Sequence, residues 1–275
     1  MAAAIAGPGM VPRDPVQSRV NLVATTKGLL RVDTAALHDL NRIAGIAIFT
    51  LPDRLPVVPG KILAGAKIAP VAIPEVTLRE AEALAAAAAP VIQVKPFQPL
   101  TVGVVTTEGL TGKTRERFQA TVERKIGWYG GRVLRFVEPA SEPEAVAAEI
   151  AAFIAAGASV VLTGGGNTID PLDPTLLALP PLGAEIVKFG APAHPGSMFW
   201  LAYQSATQTP IFNLASCSLY SKATVADLIL PWIMAGERVT LDDLAGLGHG
   251  GLLDREMAYR FPNYDAETAD EETAT

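Results

Sequence analysis

Residues 159–175 read "SVVLTGGGNTIDPLDPT". Val160, Val161 and Leu162 have the apolar character of a strand buried inside a parallel sheet. The chain then runs through Gly164, Gly165 and Gly166, where no Cβ blocks the approach of a ligand to the backbone. Successive N–H groups in such a loop can form an anion-binding concavity. Asn167 and Thr168 add neutral hydrogen-bonding side chains, and Asp170 and Asp173 add carboxylates. Carboxylates repel a bare phosphate but hold Mg²⁺, which then bridges to it. The Asp-Pro pairs are also ordinary turn formers, so a rigid, proline-braced turn uses the same residues.

Outward from this stretch the chain alternates strand and helix. "TVGVVTT" and "RVLRFV" read as strands, and "PIFNL" as a later one. "GKTRERFQATVERKIGWYGG" reads as a helix closed by Gly130-Gly131, and "EPEAVAAEIAAFIAAG" as a helix with Pro143 in its first turn. "KATVADLILPWIMAG" is a closing helix containing Pro231. This alternation predicts an α/β fold with a mostly parallel sheet covered on both faces. Ligands of such sheets bind outside the carboxyl ends of the strands. Both "TGGGNTIDPLDPT" and "TTEGLTGKT" fall at such ends.

The preceding block, residues 18–97, is rich in proline and β-branched residues. "GIAIFTLP" and "KILAGAKIAP" read as strands around the turn "VVPG", and "PEVTLREAEALAAAAA" as a helix stopped by Pro90. The expected organisation is a small β-rich module at 18–97, an α/β domain at 98–253 and a flexible acidic tail at 254–275.

Hydrophobic residues are 49% of the chain and charged residues 18%, as in a folded globular protein. A net charge of -6 without a basic block argues against nucleic-acid binding. The single cysteine, Cys217, excludes an intrachain disulfide and fits a reducing cytoplasm. The amino-terminal residues lack a signal-peptide pattern, and no apolar run is long enough to span a bilayer.

Other motifs are weaker. "GLTGKT" fails as a phosphate-binding P-loop because Thr107 stands where the first glycine belongs; Lys113 there is either an anion ligand or a surface lysine. His194 and His249 lie in glycine- and proline-rich loops, and Cys217 reads as a small buried hydrophobe.

Together these residues resemble the molybdenum-cofactor biosynthesis domain of the MogA, MoaB, MoeA and gephyrin type. The resemblance covers roughly residues 99–253. The family's Thr-[Gly/Ser]-Gly-Gly-x-[Ser/Thr] loop is Thr163, Gly164, Gly165, Gly166, Asn167 and Thr168 here, with Asp173 at the family's functional aspartate. Asp170 takes the place of an extra acid in a MoeA-like subfamily. Glu108 in "VVTTEGLTG" matches the family's acid after the first strand, with Thr107 in place of a glycine. "GAPAHPGSMFWLAY" resembles the late substrate loop, which brings in Pro195, Gly196 and Ser197. Leu214, Ala215, Ser216 and Cys217 stand where Leu-Pro-Gly-[Asn/Cys] is usual, followed by Ser218.

The resemblance implies a three-layer α/β/α domain that binds molybdopterin. Its chemistry would be insertion of molybdate into adenylylated molybdopterin by a molybdopterin molybdenumtransferase, with a non-catalytic carrier for a client molybdoenzyme as the alternative. Thr163–Thr168, Asp170, Pro195, Gly196, Ser197 and Ser218 would bind the cofactor. Asp173 and Glu108 would be catalytic, and Asp170 and Asp173 would hold Mg²⁺. A cytoplasmic homo-oligomer is the implied setting, with no nucleic-acid or membrane partner.

Overall fold

A computed structural model describes residues 1–16, 18–107, 109–164, 170–214 and 224–274. The chain divides into two compact units: residues Met1–Phe97 with Pro262–Thr275, and residues Gln98–Phe261.

The first unit contains α1 (Ala2–Ile5), β1 (Met10–Pro12), β2 (Arg19–Ala24), β3 (Gly28–Val32), α2 (Thr34–Asn41), β4 (Ile46–Thr50), β5 (Pro56–Val57), β6 (Ile62–Ile68), α3 (Glu75–Ala87) and β7 (Ile92–Pro96). Its strands form two antiparallel sheets, ordered β1-β2-β6-β4 and β5-β3-β7. Ile5, Leu22, Leu30, Leu40, Leu63 and Ile92 are fully buried in one core between these elements. Asp33 caps α2 by accepting the Ala36 N–H at 2.9 Å, which satisfies one of the helix's orphan donors.

The second unit contains β8 (Thr101–Thr106), α4 (Gly112–Trp128), β9 (Arg132–Val137), α5 (Pro143–Ala155), β10 (Val160–Gly164), α6 (Pro174–Leu177), β11 (Ala184–Phe189), β12 (Trp200–Gln204), β13 (Pro210–Leu214), α7 (Val225–Met234) and α8 (Leu241–Gly246). One sheet orders its strands β11-β12-β13-β10-β8-β9. The four strands from β13 to β9 are parallel; β12 runs antiparallel to both β11 and β13. The fold is therefore mixed α/β with a mostly parallel central sheet, as the strand–helix alternation predicts.

Two glycines show which helix covers which face. A Cβ on Gly103 would lie 2.4 Å from Phe153 Cγ of α5, so α5 packs directly on the β8 backbone there. A Cβ on Gly164 would lie 3.2 Å from Thr106 Cγ2 and 3.4 Å from the Phe118 ring of α4. Thr106 is three residues from Gly103 along β8 and so faces the other way. Helices α4 and α5 thus lie on opposite faces of the sheet.

That placement follows from the right-handed crossover rule. The chain goes from β8 outward to β9 through α4, then back across β8 to β10 through α5. Reversing direction with constant handedness moves the helix to the opposite face. Strand order therefore reverses between β8 and β10, which makes their carboxyl ends the topological switch point of the sheet.

Helices α4, α5 and α7 stop in the same way. Gly130, Gly157 and Gly236 adopt φ of +78°, +82° and +72°. Beyond each, the next N–H reaches back to the helix: Gly131 to Ile126 at 3.1 Å, Ala158 to Phe153 at 2.9 Å and Glu237 to Trp232 at 2.9 Å. These bonds satisfy carbonyls that the helix ends would otherwise orphan, and each glycine supplies the left-handed residue they need. Tyr203 pins the far end of β12: its hydroxyl accepts the Val239 N–H at 2.8 Å, and burial pushes the phenol above its ordinary pKa.

The chain ends in α9 (Ala269–Ala274), which counts with the first unit. Ala266 is fully buried there, and the Ala269 N–H donates to the Pro59 carbonyl at 3.0 Å. Glu267 pairs with Lys27 and Glu272 with Lys61, so carboxylates of the acidic segment find cations contributed by residues 1–97. Among the described residues, no helix is long and apolar enough to cross a membrane.

Candidate functional site

The switch point brings together the end of β8 and the end of β10, in register as Thr163 beside Val105 and Gly164 beside Thr106. The Thr107 N–H donates to the Gly164 carbonyl at 2.9 Å, so the two strands part only after these residues. Thr107 stands where the resemblance expects glycine, yet it is not among the residues with positive φ. The loop takes its left-handed turns at Gly109 (φ +63°) and Gly112 (φ +49°) instead. A Cβ at 107 therefore fits this backbone.

Thr163 is fully buried, and its Oγ1 has no hydrogen-bond partner. Such orphans are rare in folded proteins. On β13, Asn213 lies beside Thr163 and is also fully buried. Its Oδ1 accepts the Trp200 N–H at 2.7 Å, and its amide donates to the Met198 carbonyl at 3.0 Å. Asn213 thereby ties the segment entering β12 to the end of β13. A polar residue inside the apolar strand "PIFNL" is the signal by which the sequence marks this residue, and the motif search passed over it.

Asp173 is the N-cap of α6: its Oδ1 accepts the Thr175 N–H at 2.8 Å and the Thr175 hydroxyl at 2.5 Å. Asp170 is exposed, and its Oδ1 accepts the Leu172 N–H at 2.8 Å. The Asp170 carbonyl accepts the Asp173 N–H at 3.0 Å, so one tight turn carries both acids. Oδ1 of each is engaged locally, and Oδ2 of each is the atom suited to a cation. Mg²⁺ commonly takes one or two carboxylates and completes its shell with water and substrate phosphates. The turn supplies two carboxylates, and no group of three or more His, Cys, Asp or Glu suited to a metal occurs among the described residues.

The late loop reaches the same edge. The Pro195 carbonyl accepts the Val225 N–H at 3.1 Å, and a Cβ on Gly196 (φ +106°) would lie 2.8 Å from that nitrogen. Glycine is required at 196 on both counts. Ser197 is half-buried in the turn that follows, its carbonyl accepting the Ala191 N–H at 2.9 Å. Thr224 and Asp227 form a capping box at the start of α7, and Lys125 of α4 bonds Asp227 Oδ1 at 2.6 Å. This buried pair, which the sequence reading missed, fixes the helix end on which Gly196 rests.

A cavity of about 80 Å³ opens beside the end of β8, lined by Thr106, Arg115, Phe118, Gln119, Phe136 and Glu138 among others. Arg115 and Glu138 pair across it. Of the other motif residues, Lys113, His194 and His249 are exposed. Glu108, Gly165, Gly166, Asn167, Thr168, Cys217 and Ser218 lie outside the described residues.

A doubly wound sheet with an acid-bearing turn after β10 and the 195–197 loop at the start of α7 has the architecture whose ligands bind outside the strand ends. Residues 101–235 match the family described as "Probable molybdopterin binding domain". The match falls on the segment that the sequence resemblance covers. Among solved structures it is similar to a molybdenum cofactor biosynthesis protein B: 18% identity, TM-score 0.38, covering 56% of this chain and 96% of that one. It is also similar to a MogA structure: 19% identity, TM-score 0.33, covering 53% and 97%. No curated protein matches the chain.

Proposed function

We propose that the second unit binds molybdopterin at the carboxyl ends of β8 and β10 and acts at molybdate insertion into adenylylated molybdopterin. The observation that carries this reading is the orphaned, fully buried Thr163 hydroxyl at the switch point of a sheet whose residues 101–235 match the molybdopterin-binding family. Thr163 and the triglycine loop that follows it, through Thr168, would hold the ligand. Pro195, Gly196, Ser197 and Ser218 would close the opposite side.

Asp173 and Asp170 would hold Mg²⁺ through their Oδ2 atoms, with Glu108 as the further acid; the ion, when bound, polarises the phosphoanhydride. Asp173 has a second task that is independent of chemistry. It keeps α6 capped, so the turn holds both carboxylates in place before a ligand arrives. Molybdate is a substrate in this reading. The cytoplasmic, homo-oligomeric setting follows from the family resemblance.

A second reading, a carrier that delivers molybdopterin to a client molybdoenzyme, is favoured by Thr107 and Ser216, which stand where the family has glycines.

Calorimetric titration of the protein with molybdopterin, and separately with MgATP, tests the binding reading. Molybdopterin is expected to bind, and absence of binding overturns the reading. Asp173→Asn separates the two roles, because asparagine keeps an acceptor for the Thr175 N–H while removing the charge. Turnover with molybdate is expected to be lost while molybdopterin affinity stays within about threefold. A wild type that binds but shows no turnover establishes the carrier.

A further inference from the structure

Among the described residues, two buried side-chain polar atoms lack partners: Thr163 Oγ1 and the indole Nε1 of Trp200. They share one face of the sheet. Trp200 belongs to the same core cluster as Val105, Val161, Ala202 and Ile211, and Thr163 follows Val161 by two residues on β10. They also share one end. Strand β12 runs against β13, so its first residue, Trp200, sits where the parallel strands finish. Asn213, in register with Thr163, bonds the Trp200 backbone N–H. Thr163, Asn213 and Trp200 thus form a row across β10, β13 and β12 at the ligand edge. In that row Asn213 has its side-chain hydrogen bonds made, and among the described residues Thr163 Oγ1 and Trp200 Nε1 have none.

A fully buried indole N–H without an acceptor is costly, and a tryptophan is retained in place of phenylalanine where its N–H has something to meet. We infer that the Trp200 indole N–H, in the same row of the sheet as the Thr163 hydroxyl, is a specificity-determining donor that binds an uncharged acceptor on the ligand's heterocycle. This deepens the molybdopterin reading and rests on it. The charge state of the acceptor follows from the surroundings. Both donors are neutral, and Trp200 packs in a cluster with the apolar side chains of Val105, Ile150, Phe153 and Val161. A phosphate held there would lack a countercharge, whereas a ring carbonyl oxygen or ring nitrogen needs none. The pterin end of molybdopterin carries such acceptors; its phosphate would go to the glycine loop instead.

The test uses molybdopterin as the probe. Trp200→Phe deletes the donor together with the pyrrole part of a fully buried indole, so it leaves a cavity. The variant is expected to bind molybdopterin about tenfold more weakly than wild type and to melt at a lower temperature because of the lost packing. In wild-type protein labelled with ¹⁵N-tryptophan, the Trp200 indole resonance, identified by comparison with Trp128→Phe and Trp232→Phe, is expected to move downfield on addition of molybdopterin. This measurement needs no change at Trp200. If wild type binds, but Trp200→Phe binds equally well and the resonance stays in place, the inference is overturned and the molybdopterin reading stands. No binding to wild type overturns both.

Discussion

Replacing Lys125 by methionine is expected to lower the free energy of unfolding of the second unit by about 3 kcal/mol. Lys125 Nζ lies 2.6 Å from Asp227 Oδ1, with side-chain exposures of 12% for the lysine and 2% for the aspartate. Asp227 Oδ2 accepts the Thr224 N–H at 2.8 Å and the Thr224 hydroxyl at 3.2 Å. Removing the ammonium takes a countercharge away from a buried carboxylate, and breaking a buried ion pair in this way is costly. The loss does not stay local, because Pro195 and Gly196 rest on Thr224 and Val225. Adding Asp227→Asn to Lys125→Met is expected to restore part of the stability, since asparagine keeps an acceptor for the Thr224 N–H without a charge. Urea unfolding measures both. A loss below about 1 kcal/mol for the single change would mean that the pair does not support the helix end.

Phe153→Ala should cost about 4 kcal/mol, the upper range for emptying a fully buried aromatic site. Phe153 is 1% exposed, in a cluster with Val105, Ile150, Val161 and Trp200, and it packs on the bare backbone of Gly103. That contact makes a double-mutant cycle informative. Gly103→Ala alone drives a methyl to 2.4 Å from the ring carbon and should cost about 2 kcal/mol by overpacking. In the Phe153→Ala background the methyl enters the vacated space, so the second change should cost little. Strong coupling between sites in contact is the expected sign. Additive losses would show that α5 shifts to relieve the clash.

The parts of this fold that the sequence declares are those with local causes. Strands β8 and β10 are short apolar runs ended by polar or glycine residues, and α4 and α5 carry their stops as glycines that adopt left-handed φ. Helix α3 has its first acid at Glu75 and ends before Pro90. The expectation of a mostly parallel sheet with helices on both faces needed only this punctuation. The antiparallel pair β11 and β12 was not legible. Residues 199–203, "FWLAY", are apolar throughout and show no period of two, and their pairing is settled by long-range register with β13. In the first unit, β4, β6 and α3 were readable, but β2, β3 and β7 depend on partners distant in sequence. At the site, the Asp-Pro turn announced Asp170 and Asp173. Asn213, Trp200 and the Lys125–Asp227 pair draw their meaning from neighbours that only the folded sheet supplies.

The partition of the chain bears on how the protein is made. All of residues 98–261 lie between the two segments that compose the first unit. During synthesis the second unit can close its core as soon as its last residue emerges, whereas the first, although begun earlier, still lacks residues 262–275. Lys27 and Lys61 emerge early and must await Glu267 and Glu272, which follow only after the whole second unit has been translated. Translation stopping shortly after residue 261 would therefore deprive the earliest-made unit of its closing segment and leave the later-made one whole.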